Sequence, residues 1–290
     1  MHDHRDEYAI VRMCQVLKVS KSGYYNWLKN QEREPTAREL LREEVKQKIA
    51  KSYHESLGTY GSPRIHHDLT KQGYTLSQKT VGRLMKEMNL RAIPELKFMN
   101  TTVADEEANH PPNLLNQEFK TEHPNQVWVS DITYIWTLEG WVYLSTIMDL
   151  FSRKIVGWQM GTNMKTDLAL GAFNMAIENR QPEPGLIHHS DRGSQYSSRE
   201  YMTKLNDYGM KASMSRKGNP YDNACIESFF ATIKKELVYR KRFNTRKEAI
   251  KAIDYYIRSF YNTRRKHSTL DYLSPTEYEK IRNKSKEKIS

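Results

Sequence analysis

Three stretches rich in β-branched and aromatic residues follow one another almost without interruption: QVWVSDITYI (126–135), GWVYLSTIMDL (140–150) and KIVGWQM (154–160). The segments between them, WTLEG and FSR, are short enough only for hairpins, so a three-stranded antiparallel meander is expected. The pattern then alternates. Thr166 to Asn179 carries Leu168, Leu170, Phe173, Met175 and Ala176 as a helix, and LIHHSD reads as a short buried strand. Residues 198–207 are helical, KASMS is a fifth strand, and Asn223 to Lys235 is a helix. The order βββαβαβα defines an α/β fold with a five-stranded mixed sheet and flanking helices.

Within this frame two carboxylates occupy places where a surface role is a poor explanation. Asp191 follows GLIHHS at the end of a strand, and Glu227 lies one turn into a helix that begins at Asp222 or Asn223. Strand ends and helix starts are where α/β proteins build sites. The polar, basic and glycine-containing span between them, Arg192 to Ile226, suits a groove better than a core. A third carboxylate, Asp131, sits inside the first strand, which any sheet assignment makes central, and an ionised group there is costly without a cation or donors. Asp149 competes for that role but borders the FSR turn, where aspartate is routine.

If the fourth strand pairs with the first in parallel, Asp131 and Asp191 lie side by side, and the helix of Glu227 can cross the same edge. Three clustered carboxylates repel one another without a counterion. Their all-oxygen donor set suits magnesium, with manganese as a substitute; two such ions activate an attacking water or sugar hydroxyl and stabilise the leaving oxygen of a phosphoryl displacement. No G-x-x-x-x-G-K phosphate loop is present, and none is required. Lys234, seven residues after Glu227, falls two turns along the same helix face and is expected to hold a DNA phosphate. His188 and His189 raise a zinc site, but no further His or Cys stands at ligand spacing, so His189 is expected to orient a carboxylate or a phosphate. Arg192, Arg216 and Lys217 are candidates for guiding a DNA strand, and Asn219 to Asn223 for setting the helix start that aims Glu227.

The N-terminal part is helical. Tyr8, Ile10, Val11, Cys14 and Leu17 share one face, KVSKS offers a turn, and SGYYNWLKN makes a second helix, a helix-turn-helix-like segment over 1–34. A capping box at Thr36 and Glu39 opens a helix over 36–56 with Leu40, Leu41, Val45, Ile49 and Tyr53 as its apolar stripe. Ser62 and Pro63 open the next helix, Gly73 stops it and Ser77 caps another, which points Val81, Leu84, Met85 and Met88 inward. Its other face shows Gln78, Lys79, Arg83 and Lys86, residue types that contact phosphates and base edges, so 35–92 is expected to bind DNA. Prolines 94, 111, 112 and 124 and the acidic DEE at 105–107 mark a linker over 93–124. The catalytic core with its C-terminal helices is placed at 125–284. It includes the basic run YRKRFNTRK, a capping box at Thr245 and Glu248, and a last helix opened by Ser274 and Pro275; 285–290 is a frayed tail.

Lys and Arg total 46 against 35 Asp and Glu, a net charge of +11, which favours an extended polyanion as partner. No run approaches the ~20 apolar residues of a membrane span and the N-terminus is no signal peptide, so a cytoplasmic protein, on the nucleoid when bound to DNA, is expected. Cys14 and Cys225 are far apart and read as reduced packing residues.

Taken together, YGSPRI, RLMKEMNL, PNQVWVSDITYI, DLFSRKIVGW, HHSDRGSQY, SRKGNPYDNACIESFF and YNTRRKHSTLDYLSP resemble the catalytic, second-frame (OrfB-type) transposase of bacterial insertion sequences, in the retroviral-integrase-like DDE superfamily. That resemblance spans nearly the whole chain. It implies a ribonuclease-H-like core preceded by an all-α helix-turn-helix region, with Asp131, Asp191 and Glu227 as a metal-binding triad, two magnesium ions, and Lys234 as the basic residue after the glutamate. It also implies hydrolytic nicking at the 3′ end of the element, then attack of the freed hydroxyl on another phosphodiester, in copy-out, paste-in transposition through a circular intermediate. The implied partners are terminal inverted repeats, target DNA, further copies of the chain, at least a dimer since two ends must be synapsed, and an upstream-frame product. Two other readings stay open: a ribonuclease-H-fold nuclease that cuts without joining, and a DNA-binding regulator with a silent core.

Overall fold

The computed structural model describes residues 1–92, 110–216 and 219–287. They fall into two compact units, Met1–Lys51 and Ser52–Ser290. The first holds α1 (Ile10–Leu17), α2 (Lys21–Glu32) and most of α3 (Ala37–Glu55). Ser20 caps α2 by accepting from the Gly23 N–H at 3.0 Å, and the Thr36/Glu39 box forms as expected, Glu39 Oε2 accepting from the Thr36 N–H at 2.9 Å. The stripe of α3 is shorter than its spacing suggests. Val45 and Ile49 are buried, whereas Leu40 and Leu41 are 58% and 48% exposed: periodicity marks a face, but only packing decides how far along it burial extends.

The second unit begins with α4 (Ser62–Lys71) and α5 (Gln78–Glu87). Pro63 stands in the first turn of α4, Gly73 takes φ +90° just past its end, and Ser77 caps α5 by accepting from the Thr80 N–H at 3.1 Å. Val81, Leu84 and Met85 are buried, while Gln78, Lys79, Arg83 and Lys86 are exposed. This helix pair rests on the C-terminal segment of the core. The Tyr60 hydroxyl donates to the Arg264 carbonyl at 3.0 Å and accepts from the Lys266 N–H at 2.8 Å, Lys266 pairs with Asp68, and His67 stacks on Tyr272 with centroids 4.8 Å apart.

The core sheet comprises β1 (Val127–Thr137), β2 (Gly140–Asp149), β3 (Lys154–Gly161), β4 (Ile187–Ser190) and β5 (Lys211–Met214) in the order β3-β2-β1-β4-β5. The meander is antiparallel, and β4 and β5 extend it in parallel, so β1 is central as expected. Helices α6 (Thr166–Arg180), α7 (Ser194–Ser197) and α8 (Arg199–Asp207) cover one face, burying Trp128, Ile147, Phe173 and Leu205. Gly157 of β3 lets α6 approach, since a Cβ there would meet the Ala172 carbonyl oxygen at 2.1 Å. The other face packs on α9 (Ala224–Glu236) and α10 (Arg246–Tyr255), burying Val129, Leu144, Phe229, Ile233 and Ile253.

Asp149 proves to be more than a routine turn residue. It is fully buried, accepts from the Asn125 and Phe151 N–H groups and from Arg180, and Arg180 in turn pairs with Glu279 of the last helix, α11 (Pro275–Glu287). The segment read as a linker is also partly structural. Leu115 is buried and the Leu114 N–H donates to Ser213 Oγ of β5 at 2.9 Å.

Candidate active site

Strand register brings the first two carboxylates together. Ser130 of β1 pairs with Ser190, the last residue of parallel β4, and the residues that follow them are Asp131 and Asp191. Beyond that pair β4 ends, while β1 continues alongside β2 to Thr137, so the β4 side of β1 opens where Asp131 stands. This is the strand-end crevice in which open α/β sheets bind ligands. Asp131 Oδ1 accepts from the Ile132 N–H at 2.7 Å and Asp191 Oδ1 from the Gly193 N–H at 3.0 Å.

Glu227 stands in the first turn of α9, where the helix N-terminus favours a negative charge. A single turn of 3-10 helix, Pro220–Asn223, leads into α9. Asn219 Oδ1 accepts from the Tyr221 N–H at 3.1 Å, and Asp222, fully buried, gathers five donors. Its Oδ2 accepts from Asn113 Nδ2 at 2.9 Å, the Arg216 N–H at 2.8 Å and Arg216 Nε at 3.1 Å; Oδ1 accepts from Gln117 Nε2 and Arg216 Nη2, both at 2.9 Å. The hydrogen bond from Arg216 is the main reason its pKa lies well below the usual carboxylate range. Asn223 does not cap α9. Its Nδ2 donates to the Ser130 carbonyl at 3.2 Å, fixing the helix start to the strand residue that precedes Asp131.

The three acids feel one another. Burial drives the Asp131 pKa well up, and Asp191 and Glu227 push it further, with Lys234 opposing. Burial also raises Asp191, and burial and then Asp191 raise Glu227. Lys234 is lowered by burial against the pull of Asp131, and its Nζ sits 5.1 Å from the Tyr134 ring centroid. Three carboxylates thus share a crevice in which their ionisation is costly, a setting that a cation relieves. Their donors are oxygens only, which fits a hard divalent ion. Among the described residues no group of three or more His, Cys, Asp or Glu side chains is drawn close enough to hold an ion.

Two families described as Integrase core domain match residues 121–220 and 208–275, and the HTH-like domain family matches 40–98. The transposase for insertion sequence element IS904 of Lactococcus lactis is 46% identical over 251 residues, covering 86% of this chain and 98% of the relative. This chain belongs to the insertion-sequence transposases built on an integrase core. The uncharacterized 31 kDa protein of insertion element IS600 from Shigella sonnei is 45% identical over 266 residues, 92% of this chain and 97% of the relative. Transposase InsF of IS3A from Escherichia coli K12 is 38% identical over 276 residues, 95% and 96% of the two chains. Among solved structures, a chain of the simian T-cell lymphotropic virus intasome is 15% identical, with 73% of this chain and 69% of that one covered and a TM-score of 0.46. The HTLV-2 integrase catalytic core domain in complex with magnesium is 21% identical, with 39% and 69% covered and a TM-score of 0.33.

The other expected site residues of the transposase have these partners. His189 Nδ1 shares a hydrogen bond with Ser213 Oγ at 2.8 Å and Nε2 with Ser215 Oγ at 3.1 Å, so the ring ties β4 to β5. Burial lowers its pKa to about 4, and that of His188, which meets the Tyr201 hydroxyl at 3.0 Å, to about 3. Both rings are neutral structural groups, and the zinc alternative loses its ligands. Arg216 is committed to Asp222, and Arg192 Nε donates to the Ser215 carbonyl at 2.9 Å, so both arginines shape the loop between the carboxylates. Lys217 lies outside the described residues. Tyr196, buried on the helix side of the sheet, carries no signal in the sequence that would single it out. Its pKa is driven up by burial, and further by Tyr201, Asp131 and Asp191.

Proposed function

We propose that this transposase is a metal-dependent DNA strand transferase whose reacting centre is Asp131, Asp191 and Glu227. One observation carries the reading: the parallel β1–β4 register sets two aspartates side by side at the open end of the sheet, with the glutamate of α9 close enough to raise Asp131 and to be raised by Asp191. The three carboxylates would hold two magnesium ions, or manganese in their place. When bound, such ions make a water or a sugar hydroxyl nucleophilic and stabilise the leaving oxygen of an in-line displacement. The chain's residues position the reaction. Two strands fix the aspartates, the Asp222 cluster and Asn223 fix the helix that aims Glu227, and Lys234 offers a cation for the phosphate next to the scissile one.

Water attacks the phosphorus at the 3′ end of the element and releases a 3′ hydroxyl. That hydroxyl then attacks a second phosphodiester, one P–O bond forming for each one broken, so no nucleotide cofactor is needed. The exposed basic face of α5, carrying Gln78, Lys79, Arg83 and Lys86, would read the terminal inverted repeats, and two copies at least would pair two ends. The test is incubation of the protein with labelled element ends and Mg²⁺ or Mn²⁺. Nicked ends followed by joined products are expected; nicking without joining would make it a nuclease, and specific binding without either would make it a regulator.

A further inference from the structure

At the far end of the β1–β2 hairpin the sheet carries large aromatic side chains that stand partly in solvent. Tyr134, Trp136 and Trp141 are 46%, 55% and 41% exposed. They touch one another edge to face, Trp141 lying 5.0 Å from Tyr134 and 4.8 Å from Trp136 between ring centroids, and Trp136 is paired directly with Trp141 across the hairpin. Exposed rings in a cluster mark an interaction surface more reliably than single exposed apolar residues.

Two features say what that surface takes. First, the basic run at 239–247 is folded against the same turn. The Leu138 N–H donates to the Phe243 carbonyl at 3.1 Å, Arg246 Nε donates to the Trp141 carbonyl at 3.3 Å and the Arg246 N–H to Glu139 Oε2 at 2.8 Å, while Arg242 and Lys247 are exposed. Second, one cation connects the rings to the reacting centre. Tyr134 is three residues beyond Asp131 on β1, about 10 Å along the strand. Alternation sends the two side chains to opposite faces, but beyond Ser130 the edge of β1 is open, and Lys234 on α9 spans it, drawn to Asp131 and lying over the Tyr134 ring.

Resting on the strand-transfer reading, we infer that Tyr134, Trp136 and Trp141, with the basic run beside them, bind unpaired DNA bases of the strand that runs from the scissile phosphate. Aromatic faces flanked by cations are how proteins hold single strands, because every base offers a π-face and every nucleotide a phosphate. Such a platform keeps the terminal bases apart once they are unstacked, so that the phosphodiester can enter the crevice of Asp131 and Asp191.

The full chain is titrated with a single-stranded oligonucleotide, following tryptophan fluorescence, and its nicking of element ends with paired or unpaired terminal bases is compared. Quenching is expected, with nicking favoured on unpaired ends. Trp136→Ala with Trp141→Ala should weaken single-strand binding by about tenfold or more per ring, leave its salt dependence unchanged, and abolish the preference for unpaired ends. Trp136→Phe with Trp141→Phe should restore both, which separates stacking from misfolding. Unchanged single-strand affinity in the alanine pair overturns the inference. So does sedimentation showing that the alanine pair loses self-association while DNA binding is intact, since the face would then be an interface between copies. If the wild type never nicks DNA yet binds single strands through these tryptophans, the strand-transfer reading falls and the platform stands.

Discussion

Replacing Asp222 by alanine should destabilise the catalytic core strongly and disable it further. Five donors converge on this buried carboxylate. The Arg216 guanidinium, whose side chain is 53% exposed, returns to water at little cost and is left out of the estimate. Asn113 Nδ2, Gln117 Nε2 and the Arg216 N–H remain, each a donor to a charged acceptor. Losing such a partner costs about 1–3 kcal/mol apiece, and with some water entering the cavity a total of roughly 3–5 kcal/mol follows. At about 2–4 °C per kcal/mol for a domain of this size, Tm should fall by roughly 6–20 °C. Circular dichroism melts at fixed salt measure it, and Asp222→Asn, which keeps one acceptor oxygen, should fall between wild type and alanine. Because the folded pKa of Asp222 is depressed, its contribution is present above the unfolded carboxylate value of about 4 and is lost as pH falls toward the folded one. The gap between wild type and alanine should therefore be constant from pH 6 to 8 and close only in acid. At a permissive temperature nicking should also drop, since the clamp sets the start of the Glu227 helix. An alanine variant melting within about 2 °C of wild type would refute this reasoning.

Asp131→Asn should behave in the opposite sense in chelator. Asp131 is raised by burial and by its acidic neighbours, so the folded state holds its proton more tightly than the unfolded one and stability falls as pH climbs above about 4 through the raised value. The neutral isostere removes that penalty, and melts in EDTA should show it more stable than wild type at pH 8 and equal to it below pH 4. Lys79→Ala with Arg83→Ala should weaken binding to DNA of any sequence and flatten the plot of log K against log salt by about 0.9 for each phosphate no longer neutralised, as read by fluorescence anisotropy.

The strands of the core are legible because the meander is local. Short turns between β-rich runs leave one antiparallel solution, and the alternation of strand and helix after it places β4 and β5 in parallel. From there Asp131 and Asp191 become neighbours by register, an adjacency that the sequence alone suggests. What escapes is whatever depends on distant partners. Two of the five donors that hold Asp222 come from Asn113 and Gln117, more than a hundred residues away in a stretch whose prolines suggest only a linker. His189, two residues before Asp191 and so on the same face of the strand by alternation, invites a chemical role, but its two ring nitrogens bond Ser213 and Ser215, partners that the sequence does not reveal. Arg216 counts as a free cation until its aspartate is visible. Charge can be counted from a sequence, whereas pairing cannot. The tryptophans at 136 and 141 look like ordinary strand residues, and only their exposure on the folded sheet sets them apart.

The central claim is that three carboxylates act as one site, and substitution of each tests it most directly. Labelled element ends are incubated with Mg²⁺ or Mn²⁺ and with Asp131→Asn, Asp191→Asn and Glu227→Gln, alone and combined, after melts have shown each variant folded. Each single substitution should abolish both nicking and joining, and the combinations should be no worse, because groups that act as a unit are not additive. A folded variant that loses one of these carboxylates and still nicks and joins at the wild-type rate would contradict the account.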